Sequence, residues 1–403
     1  MTVADIQPRE IVRLAARGDG VTADGRYVAL AAPGDLVRFE GAVPTVTPGP
    51  NHALPPCVHY PECGGCQMQH VTDPAYRAWM GERIGHALAQ AGVAIGEIMP
   101  AHLSPPRSRR RAALRAVRHG RAVTLGFHVE GTHRVLDLRE CWVLRPELFA
   151  LVAPLRPLLA SLLRDGDGGG VSLTLTDTGI DLMLSNVGTE GAAALTSLAM
   201  FASTHDLARL SVETAGGVEV VAQACMPAVR LGDVMVDLPP ASFLQATREG
   251  EAALIAAVRD ACAGARHVAD LFCGVGTFAL PLAAAGARVM AVDASGPAVA
   301  ALGRALPGLE TRHRDLFRRP LSAAELRRFD AIIFDPPRAG AKTQVNEIAS
   351  STVTRAISVS CNPSTFARDA AILVAGGYRL GRIWPVGQFR WSSHVELVAE
   401  FVR

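Results

Sequence analysis

From about residue 240 onward the sequence alternates short apolar runs with helical ones, and no other feature restricts the fold as strongly. The apolar runs are His267 to Phe272, Arg288 to Val292, Ala331 to Phe334 and Ala356 to Ser360. Strands alternating with helices form a parallel, doubly wound sheet. Such sheets build their sites at the carboxyl ends of the strands. One of those ends is Ser358-Val359-Ser360-Cys361-Asn362-Pro363. Pro363 stops the strand and fixes a turn that holds Cys361 up. Cys361 is therefore a candidate nucleophile. The competing reading is an inert core cysteine, because free cysteine is among the most buried residue types.

The other strand ends carry polar residues in a consistent order. The first runs into Asp270-Leu271-Phe272-Cys273-Gly274-Val275-Gly276-Thr277, where glycines let a ligand approach the backbone. No third glycine follows in dinucleotide spacing. The second ends in Asp293, whose carboxylate can accept both hydroxyls of a ribose. The third reaches Asp315, placed to meet an adenine edge. The fourth ends in Asp335-Pro336-Pro337-Arg338. Together these pieces resemble S-adenosylmethionine (SAM) methyltransferases. An aromatic residue after Asp-Pro-Pro goes with methylation of a base nitrogen, and here Arg338 follows instead. Cytosine carbon-5 enzymes carry Pro-Cys at this strand end, and here the thiol comes one strand later.

The amino-terminal part reads differently. Between Ile11 and Val46, short apolar pieces alternate with the turns Gly18-Asp19-Gly20-Val21, Gly25-Arg26-Tyr27-Val28 and Pro33-Gly34-Asp35-Leu36-Val37. That pattern predicts a small antiparallel barrel and resembles a TRAM domain, an OB-like barrel associated with RNA binding. After a proline-rich stretch comes Cys57-Val58-His59-Tyr60-Pro61-Glu62-Cys63-Gly64-Gly65-Cys66. Gly64 and Gly65 allow neighbouring thiolates to converge, and Cys141 is the candidate fourth ligand. The residues alone leave zinc and an iron–sulfur cluster equally open. A helix is expected over Pro74 to Ala91, with Trp79, Ile84 and Leu88 as its apolar positions. Arg107, Arg109, Arg110, Arg111, Arg115, Arg118 and Arg121 form a basic run suited to phosphates. Strands are expected at Val123 to Val129 and Val135 to Leu138. A hairpin is expected from Val171 to Leu175 and Ile180 to Leu184, with Leu210 to Thr214 continuing that sheet and Asp165 to Gly170 as a loop. Cys225, Cys262 and Cys273 are read as core fillers.

Formal net charge is +2, so overall charge does not announce a nucleic acid partner, and Lys342 is the only lysine. Met1 to Glu10 lacks the apolar core of a leader, and apolar runs are broken before membrane-spanning length. A cytoplasmic enzyme is expected, in which cysteines serve as ligands, catalytic thiols or fillers rather than disulfides.

Cys57…Cys63-Gly64-Gly65-Cys66, Asp270 to Gly276, Asp335 to Gly340, Ser358 to Pro363 and His394-Val395-Glu396 together resemble the RNA 5-methyluridine methyltransferases, the TrmA/RumA family. The resemblance spans nearly the whole chain. It implies an α/β fold with a class I Rossmann-like methyltransferase domain (236–403), an α+β central domain (57–235) and an N-terminal small β-barrel of TRAM/OB type (1–50). A helix within 75–100 would pack on the catalytic domain. The implied reaction is SAM-dependent methylation of carbon 5 of a uridine, with 23S ribosomal RNA favoured over transfer RNA. Cys361 would add to carbon 6, and Glu396 would remove the carbon-5 proton. Gln245, Phe272, Gly274, Thr277, Asp293, Asp315 and Asp335 are the implied cofactor contacts. Cys57, Cys63, Cys66 and Cys141 would hold a [4Fe-4S] cluster. The expected partner is an RNA with a flipped loop uridine, met by a monomer with no membrane attachment. Asp293 and Thr277 depart from the family's commoner glutamate and asparagine, and Gln388-Phe389-Arg390-Trp391 also departs from its pattern. Two other readings stand beside this one: an RNA cytosine carbon-5 methyltransferase, and a non-catalytic iron–sulfur RNA-binding protein.

Overall fold

The computed structural model describes residues 7–40 and 43–403, so the absence of a leader expected over Met1 to Glu10 lies mostly outside the described residues. The carboxyl-terminal half supplies seven strands of a nine-stranded sheet. Five strands are parallel, in the spatial order Glu310–His313, Arg288–Asp293, His267–Leu271, Ala331–Phe334, Arg355–Ser360. From His267–Leu271 the chain builds outward on one side, then crosses back to Ala331–Phe334 on the other. That reversal opens a crevice at the carboxyl ends of these two strands. Next to Arg355–Ser360 lies Glu396–Val402, antiparallel, followed by Arg379–Gly387. The central strands read as continuous apolar runs because helices cover both faces; Ala331–Phe334 is at most 1% exposed at every position.

Two short strands from far upstream, Glu97–Ile98 and His102–Leu103, extend this sheet beside Arg379–Gly387. The helix before them, Asp73–Gln90, packs against the helix Pro363–Ala375, with Trp79, Ile84 and Leu88 buried as its periodicity predicts. Segment 73–103 thus belongs to the catalytic sheet in space although it precedes the central sheet in sequence.

The central sheet has six strands in the order Gly217–Gln223, Leu207–Thr214, Ile180–Ser185, Gly168–Leu175, Arg111–His119, Ala122–Gly126. The expected hairpin is present, and Leu207–Thr214 joins it in parallel through the helix Ala192–Thr204. Two local expectations change. Gly168 to Gly170, expected as loop, pair with Arg115 to Val117 and open a strand. Val135 to Leu138 is no regular strand, although Leu136 and Leu138 still donate to Phe127 and Leu125. Cys262 and Cys273 are core fillers, at 4% exposure each, whereas Cys225 is exposed.

The arginine run also changes meaning. Arg107, Arg115 and Arg121 are exposed, but Arg110 is 2% exposed and pairs with buried Glu251 at 2.6 Å. Arg110 Nε and Arg111 Nη1 donate to the carbonyls of Gln245 and Leu244. Arg209 makes a second buried pair with Asp181 and donates to Leu238 O at 3.0 Å. Removing one partner of such a pair leaves an uncompensated buried charge, at a cost of about 3–5 kcal/mol. These arginines anchor the segment that enters the catalytic half rather than offering themselves to a phosphate.

The amino-terminal strands form a five-stranded antiparallel sheet around Ile11, Val28, Ala31 and Val37, as the barrel pattern predicts. Trp79 Nε1 donates to Ala15 O at 3.0 Å, and a Cβ on Gly18 would stand 2.7 Å from Met68 Cγ. Both contacts tie this sheet to the body of the protein.

Candidate active site

Strand register assembles the site. In the antiparallel pair, Val359 faces Val398 and Ser360 faces Leu397. The next residues outward are Cys361, in the turn after its strand, and Glu396, the first residue of the neighbouring one, close enough that the Glu396 carboxylate raises the Cys361 thiol. Glu396 is 5% exposed, with its strand paired on both sides. Cys361 is half-buried in the turn before the helix Pro363–Ala375. Pro363 is the first helical residue, where its missing N–H is no loss. Asn362 caps that helix by accepting from Ser364 N at 3.1 Å. Asn362 Nδ2 and Thr365 Oγ1 both donate to Arg338 O, so the Cys361 turn and the Asp335-Pro336-Pro337-Arg338 loop are held together.

The electrostatics are those of crowded, buried acids. Burial first, then the charge of Asp335, pushes Glu396 up to about 8, while its bond from Gln388 and the Arg338 guanidinium pull the other way. Burial pushes Asp335 up to about 7. Burial, then Glu396 and Asp335, raise the Cys361 thiol, with Arg338 opposing them. Arg338 Nη2 donates to the His394 ring, 2.9 Å from Nε2, and burial with this cation lowers His394 to about 4. His394 is therefore neutral at physiological pH. A glutamate poised near 8 is suited to taking a proton near neutral pH.

The glycine loop supplies the second half. Gly274 has φ +55° and open space where a Cβ would lie, so a ligand can approach its backbone. Gly276 has φ +98° for a different reason: a Cβ there would stand 2.5 Å from Leu302 Cδ1. Phe272 also has a positive φ, 63°, a strained state for a residue with a side chain. Its ring lies 5.4 Å from that of Phe317. Asp293 accepts from Gly274 N at 2.9 Å and Ser295 N at 2.7 Å, tying the second strand end to the loop. Asp315 accepts from Phe317 N and Arg318 N. Thr277 is half-buried at the start of the helical turn after the loop. Asp270 is fully buried, neither carboxylate oxygen has a hydrogen-bond partner, and burial with Asp335 raises it well above the usual range. The open approach at Gly274 fits a polar cofactor bound over this loop.

Gln245, the remaining implied cofactor contact, is 3% exposed and lies beside Gln388. The sequence marks Gln388 only as a departure from the family's pattern; a lone glutamine beside a strand end carries no spacing signal for its partners. Gly250 was missed. A Cβ there would stand 2.5 Å from Gln388 Cβ, so this helical glycine makes room for Gln388.

The four cysteines form a separate site. Cys57, Cys63, Cys66 and Cys141 line one cavity with His59, Tyr60, Gln69, Phe127 and Trp142. Among the described residues, no group of three or more His, Cys, Asp or Glu is placed to hold a metal ion. Burial pushes Cys63 up to about 11 and Cys66 up to about 12, and their neighbouring thiols add to the rise. His59 Nε2 accepts from Arg139 N at 2.9 Å, which binds the Cys141 segment to the Cys57–Cys66 loop.

The comparisons agree with this geometry. Residues 245–359 match the methyltransferase small domain family. An uncharacterized RNA methyltransferase of Zymomonas mobilis is 42% identical over 399 residues, covering 98% of this chain and 100% of that protein. The 23S rRNA (uracil(1939)-C(5))-methyltransferase RlmD of Aeromonas salmonicida is 30% identical over 377 residues, covering 88% of this chain and 84% of its own. The structure of Pyrococcus abyssi tRNA (uracil-54, C5)-methyltransferase with S-adenosyl-L-homocysteine matches with a TM-score of 0.75 at 22% identity, covering 98% and 99% of the two chains. It shares the fold. Sheet order, strand-end loops and relatives together define a SAM-dependent RNA methyltransferase. Within that class, the chain belongs to the TrmA/RumA-like family.

Among the described residues, no helix is long and apolar enough to cross a membrane.

Proposed function

We propose that this protein methylates carbon 5 of a uridine in RNA, with 23S ribosomal RNA as the substrate. The observation that carries this reading is the proximity of Cys361 to Glu396 at adjoining strand ends, a half-buried thiol beside a buried carboxylate pushed up to about 8. Carbon 5 of uracil is too weak a nucleophile to take a methyl group unaided. Addition of the Cys361 thiolate to carbon 6 makes the ring an enolate with electron density on carbon 5. SAM supplies the methyl group and leaves as S-adenosylhomocysteine. Glu396 then takes the carbon-5 proton, the carbon 5–carbon 6 double bond reforms, and the thiolate departs. The base has to leave its stack for this, which suits a loop uridine turned into the crevice. Gly274, Phe272, Thr277, Asp293, Asp315 and Asp335 are read as the residues around the cofactor, and the open approach at Gly274 supports it. The rRNA assignment is supported by the likeness to RlmD over most of the chain.

The cysteine cavity is read as the place of a [4Fe-4S] cluster held by Cys57, Cys63, Cys66 and Cys141. Four thiols on one cavity support it. The cluster has no redox part in this reaction; its role here is to join chain segments. Boundaries near residues 50 and 236 complete the proposed division into barrel, central and catalytic units.

Release of tritium from RNA labelled at uridine carbon 5, followed by nucleoside mass spectrometry, tests the reading. The expected product is 5-methyluridine. Formation of 5-methylcytidine without 5-methyluridine would transfer the chemistry to cytosine, and no methyl transfer to any RNA would remove the catalytic reading.

A further inference from the structure

We infer that Gln388 is a positioning residue which, fixed by one backbone amide, orients both Gln245 and Glu396 and so turns the pocket toward a base bearing a carbonyl at carbon 4. The inference rests on the uridine reading above and goes on to name what selects the base.

Gln388 is 1% exposed, and its three polar contacts are all to buried groups. The backbone N–H of Ala246 reaches Gln388 Oε1 at 2.8 Å. A backbone N–H can only donate, so the atom it meets has to be the amide oxygen. That settles which end of Gln388 is which. Its nitrogen then faces the other way, where it donates to Gln245 Oε1 at 2.7 Å and to Glu396 Oε2. Both N–H bonds of the amide are used. Since Gln388 presents only donors on this side, Gln245 must turn its oxygen toward it. Gln245 Nε2 is left pointing away, and no protein acceptor meets it among the described residues. One main-chain hydrogen therefore sets the polarity of two side-chain amides in series, and the series ends in an unsatisfied donor.

The ring chemistry says what that donor would meet. Carbon 5 has to lie by Glu396 and carbon 6 by Cys361. The other neighbour of carbon 5 is carbon 4, which bears a carbonyl oxygen in uracil and an amine in cytosine. Gln245 sits one amide away from Glu396, so its Nε2 falls to the carbon-4 substituent. A donor there satisfies uracil and opposes the amine of cytosine. The same donor stabilises negative charge on that oxygen as the enolate forms. Sites built to hydrogen-bond one partner reject a mismatched one strongly, because buried polar groups are left unpaired. Gly250 belongs to the arrangement, because a Cβ there would displace Gln388. The charged and titratable groups near Glu396 are Asp335, Arg338 and Cys361, and none of them changes in the variants below.

The experiment uses the full-length protein and two RNAs that differ only in a uridine or cytidine at the target position. It measures kcat/KM on each, the pH profile of product release, SAM binding and Tm. Gln388→Met removes the amide at similar volume. It is expected to lower the uridine-over-cytidine preference by about tenfold or more and to move the acid limb of the profile to higher pH, because Glu396 loses a donor that favours its carboxylate. Gln388→Glu keeps an acceptor for Ala246 but offers acceptors to Gln245, so the preference is expected to fall further. Gly250→Ala leaves both amides in place and pushes Gln388 aside, with a smaller change in the same direction. Variants that bind SAM and melt normally, with preference and pH profile unchanged, would overturn the inference while leaving uridine methylation intact. If the unaltered protein makes no 5-methyluridine, the functional reading fails, and this inference fails with it.

Discussion

The molecule holds two sites of partly or fully buried thiol, and they differ in what surrounds the sulfur. Cys361 stands at a strand end among groups of mixed character: Glu396 and Asp335 raise it, and Arg338 opposes them. Cys57, Cys63, Cys66 and Cys141 sit among loops and aromatic rings; burial raises all four, neighbouring thiols add to the rise of the first three, and Glu140 adds to that of Cys141. Both environments keep a free thiol protonated. The first places a carboxylate and a cation beside the sulfur, so its charge balance can change when a ligand arrives. The second offers four sulfurs to one cavity, with the Glu140 carboxylate beside Cys57 and the Arg109 guanidinium near Cys141. A cysteine's chemistry is thus set by its neighbours rather than by its own burial.

The pockets are also joined. Trp391 packs with Cys66 and Val143, and its carbonyl accepts from Gln67 N at 2.7 Å and Met68 N at 2.9 Å. Trp391 has φ +61°, which the surrounding contacts hold in place. Three residues further on is His394, and five further on is Glu396. The Trp391 contact thus lies five residues from Glu396, the proposed base.

The sharpest test of the contrast is to remove one sulfur from each pocket. Cys361→Ala is expected to lower methyl transfer by at least about 10³-fold with SAM binding and Tm retained. Undiminished tritium release would remove Cys361 from the chemistry. Glu396→Gln is expected to lower turnover by about 10²–10⁴-fold while leaving the first half of the reaction, so that a covalent protein–RNA adduct accumulates and survives denaturing electrophoresis. Absence of that adduct would argue for another base.

The pH dependence comes next in size. Glu396 acts as its carboxylate, and its ordinary value is raised to about 8. The reactive fraction therefore grows as pH rises through about 8 and falls about tenfold per unit below it. Single-turnover product release should show this limb well above the usual carboxylate range; a limb near 4.5 would contradict the burial-driven rise. The smallest rate effect is expected from Cys66→Ser. Iron and acid-labile sulfide should be lost and Tm lowered, with less than about a tenfold change in the rate of the folded fraction. A colourless wild-type protein with stoichiometric zinc would reject the cluster. A rate loss as large as that of Glu396→Gln would show that the link through Trp391 dominates.

Much of the catalytic half was legible in the sequence. Continuous apolar runs identified strands buried on both faces, and each run stopped where a polar loop began. Ala331–Phe334 is a strand over the residues that its run predicts. The arginine run was less transparent. Composition and spacing gave seven basic side chains in one segment, but a strand alternates its faces and a domain junction covers some of them. Arg110 turned inward to Glu251, whereas Arg115 stayed outside. A charge written in sequence does not say whether its partner will be solvent, phosphate or a carboxylate 141 residues away.

By itself, the sequence determined the parallel sheet, the order of its polar strand ends, the cysteine at one of them and the four thiols upstream, because local periodicity and turn residues decide these. Only the tertiary structure decided that Cys361 lies beside Glu396, that segment 73–103 completes the catalytic sheet, and that Gln388 is bonded to Ala246, Gln245 and Glu396. Those outcomes depend on register and on contacts between distant segments, and a linear pattern carries neither.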